Sequence, residues 1–380
     1  MHVGTLTGLF PSIYATFIST IETAIQNGMK QTFFQLLSGQ LRTVPPVVTA
    51  DLSGKTVVVT GSNGGLGLEA AKHFARMKPG KLILAVRSES RGKAAADHRA
   101  LKLPTIAEIK NETGFDAVEV WLLDQSRFSS VIAFADRFEK EDLRLDILVA
   151  NAAIIPATYR TTEDGWEESL QVNDLSPSLL CLLLVPRMVE TGKKYNTKPR
   201  IVTVSSGIHY LAEFNESVYD ADSSWQALSR EEYFNPKFNS DQRYFETKLL
   251  NVFFTRSLNS LVKDTPIIVN ALSPGYCYSN IRRESKDGIV QAFVGWLMRK
   301  ALAWTTEQGS RQLVYSAIGG SDNPDQLKGA YIDLHQVVEP TDHVIGFYGK
   351  QRGNKLWSDL VRELSKVDGR VGEIVRAYST

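Results

Sequence analysis

A tyrosine and a lysine four positions apart could carry proton-transfer chemistry in this chain. Tyr244 and Lys248 stand in the run Tyr-Phe-Glu-Thr-Lys, at the start of a pattern that predicts a helix over 244–262. An i, i+4 pair lies on one helix face, so the phenol and the ammonium would be neighbours. A nearby positive charge lowers the pKa of a tyrosine from about 10, which suits the phenol to general acid/base catalysis. Such pairs also arise by chance, so their context matters.

A serine elsewhere in the chain supplies part of that context. Ser206 ends the run Arg200-Ile-Val-Thr-Val-Ser-Ser, whose apolar part is typical of a buried strand. Parallel sheets present their ligand-binding loops at the carboxyl ends of their strands. Ser206 is therefore expected where a ligand would bind, which strengthens the interpretation of the tyrosine and lysine pair.

A glycine-rich loop follows the first apolar run and precedes a helical pattern. It reads Thr60-Gly-Ser-Asn-Gly-Gly-Leu-Gly67. Glycine lets such a turn adopt positive φ and lets the backbone approach a pyrophosphate, whose charge then sits at a helix N-terminus. The loop predicts a dinucleotide site, although turns of this composition are common. The candidate residues are Gly61, Ser62, Asn63, Gly65, Leu66 and Gly67.

An arginine stands where an NAD-preferring site would carry an acidic residue. Arg87 ends the second apolar run, twenty residues after the last loop glycine. A guanidinium can pair with the 2′-phosphate of NADP(H), and Ser88, Arg91 and Lys93 could add donors. Arg87 could instead merely cap the strand end. We expect NADP(H) as the cofactor, with Asp124 either accepting from the adenine amino group or capping a helix.

Seven short apolar runs separated by helical patterns indicate βαβ units on a buried parallel sheet. The runs span 55–60, 81–86, 118–123, 147–150, 200–204, 267–272 and 329–332. The helical patterns include 65–77, 127–139, 166–190, 244–262 and 307–318. We therefore predict an α/β fold: one Rossmann-type doubly wound domain with a seven-stranded parallel sheet over residues 51–370.

The composition favours a folded protein that acts on small molecules. Of 380 residues, 43% are hydrophobic and 22% are charged, which argues against disorder. The net charge of +1 is too small to indicate a nucleic-acid partner. The two cysteines offer no disulfide framework, which indicates a reducing, cytoplasmic setting. The six histidines fall at no metal-ligand spacing, so we expect no metal.

Residues 1–50 form an extension before the first strand pattern. Apolar residues recur there at helical spacing and predict one or two amphipathic helices. No basic stretch follows Met1, Pro11 interrupts the run and Glu22 ends it, which argues against a signal peptide or a spanning helix. The apolar face could pack on the chain's own domain, contact a second copy in a homodimer, or bring residues 1–40 to a membrane surface.

Taken together and in this order, the motifs resemble those of the classical short-chain dehydrogenase/reductase family, and more closely its retinol-dehydrogenase-like branch in filamentous fungi. The resemblance covers residues 52–367. The glycine loop matches the family's T-G-x-x-x-G-x-G, and the tyrosine and lysine match its Y-x-x-x-K. The family's catalytic tetrad matches Asn173, Ser206, Tyr244 and Lys248.

Two further segments bear on the resemblance. Pro274, Gly275 and Ser279 match a P-G-x-x-x-T stretch that lies beside the nicotinamide in the family, with serine in place of threonine. A run Ala-Asn-Ala-Ala departs from the usual N-N-A-G but keeps Asn151. By resemblance, Asn151 and Ala152 stabilise the central sheet and line the adenosine side of the cofactor site.

The resemblance implies an oxidoreductase that interconverts a ketone or aldehyde and an alcohol, in secondary or in lipid, isoprenoid or polyketide metabolism. In reduction, Ser206 would hydrogen-bond the substrate carbonyl, Tyr244 would donate its proton and NADPH would deliver a hydride. Lys248 would hold the nicotinamide ribose and lower the pKa of the tyrosine. Asn173 would bend its helix and hold a water in the proton relay.

An insertion of aromatic character lies between Ser206 and Tyr244. Residues 207–243 predict a lid, and residues 276–304 predict a second substrate-side segment. Their aromatic side chains could line a pocket for a lipophilic substrate or form the lid's own small core. A C-terminal helix that includes 357–364 is expected to pack over this end. The candidate substrate contacts are Tyr210, Tyr276, Tyr278 and Trp296.

Two other functions remain open on the same motifs. An extended-type epimerase or dehydratase also carries a dinucleotide loop and a Tyr/Lys pair, but the three residues between Gly61 and Gly65 favour the classical loop. An NADP(H)-binding regulatory or scaffold protein could use the same fold without catalysis. The complete tetrad argues against that second alternative.

Overall fold

Strands and helices alternate along most of the chain. A computed structural model describes residues 38–87, 98–212, 214–234, 240–278, 281 and 289–379. The strands are β1 (Thr56–Thr60), β2 (Lys81–Val86), β3 (Val118–Leu122), β4 (Ile147–Ala150), β5 (Arg200–Val204), β6 (Ile268–Leu272), β7 (Tyr331–Asp333) and β8 (Gln336–Val338). The first helices are α1 (Gly65–Arg76), α2 (His98–Thr113), α3 (Phe128–Lys140), α4 (Glu168–Lys194), α5 (Ser217–Asp220) and α6 (Ser224–Ser229). The later helices are α7 (Ser240–Leu261), α8 (Ile289–Leu302), α9 (Thr306–Ile318), α10 (Gly346–Val367) and α11 (Arg370–Tyr378).

The strands form one twisted sheet in the order β3-β2-β1-β4-β5-β6-β7-β8. Strands β1 to β7 pair in parallel, which confirms the Rossmann-type sheet predicted from the apolar runs. The order reverses between β1 and β4, and doubly wound folds bind their ligands at the carboxyl edge near this switch point. The functional residues are therefore expected at the ends of β1, β4, β5 and β6.

An eighth, antiparallel strand extends the predicted seven-stranded parallel sheet. Strand β8 pairs antiparallel with β7 at the edge of the sheet. The two-residue turn between them has Leu334 at φ 47° and His335 at φ 62°. Tight hairpins usually place Asn or Gly at such positive φ values, so this turn carries no recognisable sequence signal. At three residues, β8 is also too short to show alternation.

The core lies on both faces of the sheet because alternate strand residues point to opposite sides. In β1, Val58 joins a cluster with residues of α3, α4, α7 and α10, whereas Val57 and Val59 join a second cluster with residues of α1 and α9. Burial on both faces explains why the strands are continuous apolar runs. The C-terminal helix begins at Gly346, earlier than the predicted stretch, and Leu356, Leu360 and Leu364 bury its inner face.

Within the described residues, one helix is long and apolar enough to cross a membrane by length and composition. This helix is α4, and 94% of its most apolar window is buried inside the fold. A core helix of a parallel-sheet protein has the same composition, because it packs against the sheet on one side and other helices on the other. We therefore assign α4 to the core.

The end of the N-terminal extension is fastened to the substrate-side segment. Residues 1–37, with most of the predicted amphipathic pattern, lie outside the described residues. The Gln40 side chain accepts a hydrogen bond from Tyr276 N at 2.9 Å and donates one to Tyr276 O at 2.8 Å. Trp304 Nε1 donates to Gln40 O at 3.0 Å. The extension therefore reaches the domain beside the segment that follows β6.

Candidate active site

The glycine loop joins β1 to α1 and is packed too closely for larger residues at two positions. Gly61 has φ 66°, and a Cβ there would lie 2.9 Å from Ala152 Cα. A Cβ on Gly67 would lie 2.7 Å from both Asn151 Nδ2 and Gly61 O. These contacts let α1 begin directly against the ends of β1 and β4, as a dinucleotide site requires.

The outer part of the loop, in contrast, faces open space. A Cβ on Gly64 or on Gly65 would meet nothing within 4 Å, and Gly65 has φ 59°. No side chain caps the N-terminus of α1. Its first N–H groups can therefore bind an anion, as in other helices that hold a pyrophosphate. These residues fit a dinucleotide phosphate.

Replacement of Gly67 by alanine is expected to lower the free energy of unfolding by about 1–3 kcal/mol, the usual cost of overpacking. The added methyl group would contact backbone at Gly61 O, which has little freedom to move. Urea unfolding of Gly67→Ala measures the effect. Gly64→Ala in the same loop is the matched control, expected within about 0.5 kcal/mol of the wild type. Equal losses in both variants would contradict the packing argument.

Asn151 and Ala152 join β4 to the end of β1. The Thr60 hydroxyl oxygen accepts hydrogen bonds from Asn151 N at 2.9 Å and Ala152 N at 3.0 Å, and Asn151 Nδ2 donates to Thr60 O at 2.8 Å. The altered Ala-Asn-Ala-Ala motif therefore keeps hydrogen bonds that join β4 to β1. Ser62 turns inward, with its hydroxyl donating to Val59 O at 2.9 Å.

The residues predicted to select the cofactor are only partly described. Arg87 is half-buried at the end of β2, the strand that pairs with β1 before the glycine loop. Ser88, Arg91 and Lys93 lie outside the described residues. Asp124 follows β3, where its Oδ1 accepts from Ser126 N at 3.0 Å and from the Ser126 hydroxyl at 2.7 Å. These bonds favour a turn-capping role for Asp124, with its second oxygen left for other contacts.

The loop after β6 lies beside the loop after β5. Gly275 has φ 77°, and a Cβ there would lie 2.2 Å from the Trp304 ring. The Ser273 hydroxyl oxygen accepts from Gly207 N at 3.1 Å and Gly275 N at 3.2 Å, so it fastens the two loops together. Ser273 has no motif of its own, and its role is visible only in the structure. Ser279 lies outside the described residues.

Tyr244 and Lys248 lie one turn apart on α7, and Lys248 Nζ is 5.4 Å from the centre of the Tyr244 ring. Lys248 Nζ donates to Val204 O at 2.9 Å, and the Ser205 hydroxyl donates to Lys248 O at 2.7 Å. These bonds hold the carboxyl end of β5 against α7. They bring Ser206, the next residue after Ser205, to the same edge as the tyrosine.

Ser206 is half-buried and begins a 3-10 turn, Gly207–Leu211. Ile208 N donates to its hydroxyl oxygen at 3.4 Å, a long bond that leaves the hydroxyl proton for another acceptor. His209 steadies this turn: its Nδ1 lies 2.8 Å from Ser206 O, and its Nε2 accepts from Thr341 N at 3.3 Å. Burial lowers the pKa of His209 to about 4, so the ring is neutral and Nδ1 is the donor.

Asn173 lies in a π-helical turn, Gln171–Leu175, that interrupts α4. Its Oδ1 accepts from Ile154 N at 2.8 Å, and its Nδ2 donates to Ile154 O at 3.0 Å and to the Thr247 hydroxyl oxygen at 3.2 Å. Turns of this type are rare and often occur at functional sites. Asn173 therefore connects the loop after β4 to α7 at Thr247, the residue before Lys248.

Burial and charge set the protonation of Lys248. The side chain is 2% exposed, and burial lowers its pKa to about 8, which a buried carboxylate at Asp174 opposes. Asn251, one turn further along α7, accepts from Lys248 Nζ at 3.1 Å. Neither Asp174 nor Asn251 belongs to a motif identified in the sequence, although the i, i+3 spacing of Lys248 and Asn251 places them on one helix face.

The lid aromatics pack mainly against the protein's own core. Trp225 is 2% exposed, and its Nε1 donates to Leu356 O of α10 at 2.9 Å. Tyr210 is buried against His209 and Tyr331, with its hydroxyl donating to Glu339 O. Of the two interpretations, the structure favours the lid's own core for these side chains. Tyr210 has no open face for the substrate contact that the sequence suggested.

Trp225→Ala is expected to lower the free energy of unfolding by about 3–5 kcal/mol, because a buried indole and its hydrogen bond are lost. Trp296→Ala is the matched control: that side chain is 49% exposed, so the expected loss is within about 0.5 kcal/mol. Thermal and urea unfolding measure both. A stable Trp225→Ala variant would show that the lid is not anchored to α10.

The remaining substrate candidates lie at the surface. Tyr276, Tyr278 and Trp296 are 45%, 38% and 49% exposed. Tyr276 and Tyr278 pair by backbone with Trp304, through Trp304 N to Tyr276 O at 2.9 Å and Tyr278 N to Trp304 O at 3.0 Å. The side chains of Tyr276, Tyr278 and Trp296 are thus partly exposed, whereas Tyr210 is buried.

Comparison with known proteins agrees with this architecture. The family profile described as short chain dehydrogenase matches residues 55–223. A short chain dehydrogenase/reductase of Cryptosporiopsis sp. (strain 8999) is 35% identical over 334 residues, which are 87% of this chain and 97% of that protein. A short chain dehydrogenase of Alternaria solani is 34% identical, over 80% of this chain and 97% of that protein.

The fold is also that of a solved enzyme. The crystal structure of a short chain dehydrogenase from Burkholderia cenocepacia J2315 in complex with NADP has a TM-score of 0.53 and 17% identity, with 74% of this chain and 97% of that chain covered. The described residues contain no group of three His, Cys, Asp or Glu side chains that could hold a metal ion.

On the family profile and these relatives, the chain belongs to the short-chain dehydrogenase/reductase family.

Proposed function

We propose that the protein uses NADP(H) to interconvert a lipophilic ketone or aldehyde and its alcohol. The observation that carries the proposal is the set of hydrogen bonds that join Asn173, Val204 and Ser205 to Thr247 and Lys248 of α7, next to Tyr244. Proton donation and carbonyl orientation then come from side chains held by the sheet edge rather than by mobile loops. A regulatory or scaffold protein does not need this set of hydrogen-bonded side chains around Tyr244.

The residues of this chain divide the work of reduction among them. The Ser206 hydroxyl orients the substrate carbonyl oxygen, and the Tyr244 hydroxyl donates a proton to that oxygen. Lys248 stabilises the phenolate that remains and holds the nicotinamide ribose. The nicotinamide, when bound, supplies the hydride. In alcohol oxidation the Tyr244 phenolate accepts the proton, so both directions depend on the charge of Lys248.

The preference for NADP(H) rests on the residue after β2. Arg87 stands where an acidic side chain would bind the 2′-hydroxyl of NAD(H), and its guanidinium suits a 2′-phosphate. The Burkholderia cenocepacia structure of the same fold is described in complex with NADP. The glycine loop and the uncapped α1 N-terminus supply the pyrophosphate site.

The substrate class follows from the surface beside the catalytic edge. Exposed aromatic side chains after β6 favour an apolar or aromatic substrate. The fungal relatives named as short chain dehydrogenases suit a role in fungal secondary metabolism. The retinol-dehydrogenase-like branch, a homodimer, a cytoplasmic location and membrane contact through residues 1–40 stay predictions.

A nicotinamide absorbance assay tests the proposal. Purified protein is supplied with NADPH and a panel of lipophilic ketones and aldehydes, and with NADP⁺ and the matching alcohols. We expect turnover with at least one lipophilic class and little with small hydrophilic carbonyls. Turnover that prefers hydrophilic substrates would contradict the substrate class, and no turnover with any carbonyl or alcohol would contradict the activity.

A further inference from the structure

Lys248 is joined to a buried carboxylate through a single asparagine. Lys248 Nζ donates to Asn251 Oδ1 at 3.1 Å, and Asn251 Nδ2 donates to Asp174 Oδ1 at 2.8 Å. A second bond from Asn251 Nδ2 reaches Asn173 O at 2.9 Å. An amide accepts at one end and donates at the other, so these three partners allow only one orientation of the Asn251 side chain.

The π-helical turn in α4 presents both partners of the asparagine. Asn173 O and the Asp174 carboxylate come from adjacent residues of that turn and face one amide nitrogen on α7. Asn251 is 4% exposed, so water does not compete for these bonds. The same turn places the Asn173 side chain on Thr247. The π-helical turn therefore positions both Asn173 and, through Asn251, the side chain of Lys248.

Nearby positive charge stabilises the carboxylate form of Asp174. Asp174 is buried, and its Oδ2 has no hydrogen-bond partner among the described residues, so the carboxylate depends on nearby positive charge. Lys248 and Arg243 act on it from α7, and Glu167 opposes them. Arg243 is itself held by Glu246 at 3.1 Å and by Glu167 at 3.7 Å. Lys248 is therefore the positive group that Asp174 reaches through a hydrogen-bonded bridge.

Burial shifts both pKa values against a charged pair, and the attraction between Asp174 and Lys248 opposes both shifts. Burial raises the pKa of Asp174 well above its usual range, and Lys248 lowers it. Burial lowers the pKa of Lys248, and Asp174 raises it. Burial also raises the pKa of Glu246 to about 7, although Arg243 opposes that shift. We take the opposing effects of Asp174 and Lys248 on each other as mutual stabilisation of the charged pair.

We propose that Asn251 and Asp174 are positioning residues for the proton transfer: the Asn251 amide ties Lys248 to the Asp174 carboxylate and keeps the ammonium charged beside Tyr244. This inference rests on the proposed function for its consequence, because the charge of Lys248 matters to catalysis only if Tyr244 moves a proton. The structural arrangement itself involves no ligand.

The pH profile of carbonyl reduction is the first test. Asp174→Asn keeps an acceptor for Asn251 Nδ2 but removes the charge. Without the carboxylate, Lys248 gives up its proton at lower pH, and reduction needs the protonated enzyme. The alkaline limb of kcat/KM is therefore expected to move down by about one pH unit, the low end of the effect of a charge at this range. An unmoved limb would overturn the proposal.

A charge swap separates this role from simple packing. In the double variant Asp174→Asn with Asn251→Asp, the carboxylate is returned to a position next to Lys248, although the bond to Asn173 O is lost. The alkaline limb is expected to return to the wild-type pH or above, even if kcat stays lower. Asn270→Ala is the control. Asn270 is a buried asparagine of β6, and its side chain donates a hydrogen bond to Ser316 O of α9. That variant is expected to lose stability without a shift of the limb.

A direct titration of Lys248 distinguishes failure of this inference from failure of the proposed function. NMR of isotope-labelled lysine, assigned with Lys248→Met, is expected to show a lower pKa for Lys248 in Asp174→Asn than in the wild type. A wild type that reduces no carbonyl contradicts the proposed function alone, and the NMR result still decides the inference. Equal Lys248 titrations in both proteins would overturn the inference and leave the function intact.

Discussion

Tyr244→Phe is expected to lower kcat for carbonyl reduction by about 10³-fold while NADPH affinity stays near that of the wild type. The substitution removes only the phenol oxygen, and loss of a general acid typically costs 10²–10⁴-fold. Lys248 keeps its bonds to Val204 O and Asn251, so the site should remain assembled. Initial rates under saturating NADPH measure kcat, and fluorescence titration measures cofactor binding.

Tyr278→Phe is the matched control for that experiment. Tyr278 is 38% exposed and makes its described bond to Trp304 through the backbone, so removal of its hydroxyl should leave kcat within about threefold. If Tyr244→Phe retained near-normal turnover, Tyr244 could not be the proton donor. If both variants lost turnover equally, the loss would come from the lipophilic surface rather than from acid catalysis.

Arg87→Asp is expected to weaken NADPH binding by about 100-fold and to change NADH binding by less than about threefold. Loss of charge-assisted hydrogen bonds to a phosphate costs about 1.5–3 kcal/mol, and the new carboxylate adds repulsion. The same carboxylate can accept from the 2′-hydroxyl of NADH, which offsets the lost contacts.

Arg76→Asp provides the control for a general electrostatic effect, since Arg76 is an exposed arginine at the far end of α1 from the glycine loop. It is expected to leave the ratio of NADPH to NADH affinity unchanged. Titration of both dinucleotides against each variant measures that ratio. Equal weakening of NADPH and NADH by Arg87→Asp would contradict the assignment of Arg87 to the 2′-phosphate.

The candidate catalytic residues could be identified in the sequence because their signals are local. Tyr244 and Lys248 need only one helix turn, and the glycine loop needs only a strand before it and a helix after it. The position of Ser206 followed from the rule that parallel strands present ligands at their carboxyl ends, and that of Asn151 followed from the resemblance to the family's N-N-A-G motif. The structure places all of these residues at that edge of the sheet.

The supporting contacts could not be predicted because they join residues far apart in the chain. Asn251 meets Asp174 across 77 positions, and Ser273 meets Gly207 across 66. The hydrophobic periodicity of the sequence does not indicate such long-range pairs. Tyr210 shows the related limit for aromatic side chains: the residue type that lines a substrate pocket also fills a core, and only its burial against Tyr331 distinguishes the two.

Transfer of a labelled hydride tests the central claim most directly. Purified protein is given NADPH deuterated at the transferable position together with the best carbonyl from the panel, and the product is analysed by mass spectrometry. The account predicts an alcohol with one deuterium on the former carbonyl carbon, formed by the wild type and almost absent with Tyr244→Phe. Consumption of NADPH without deuterium at that carbon, or equal label with both proteins, would contradict it.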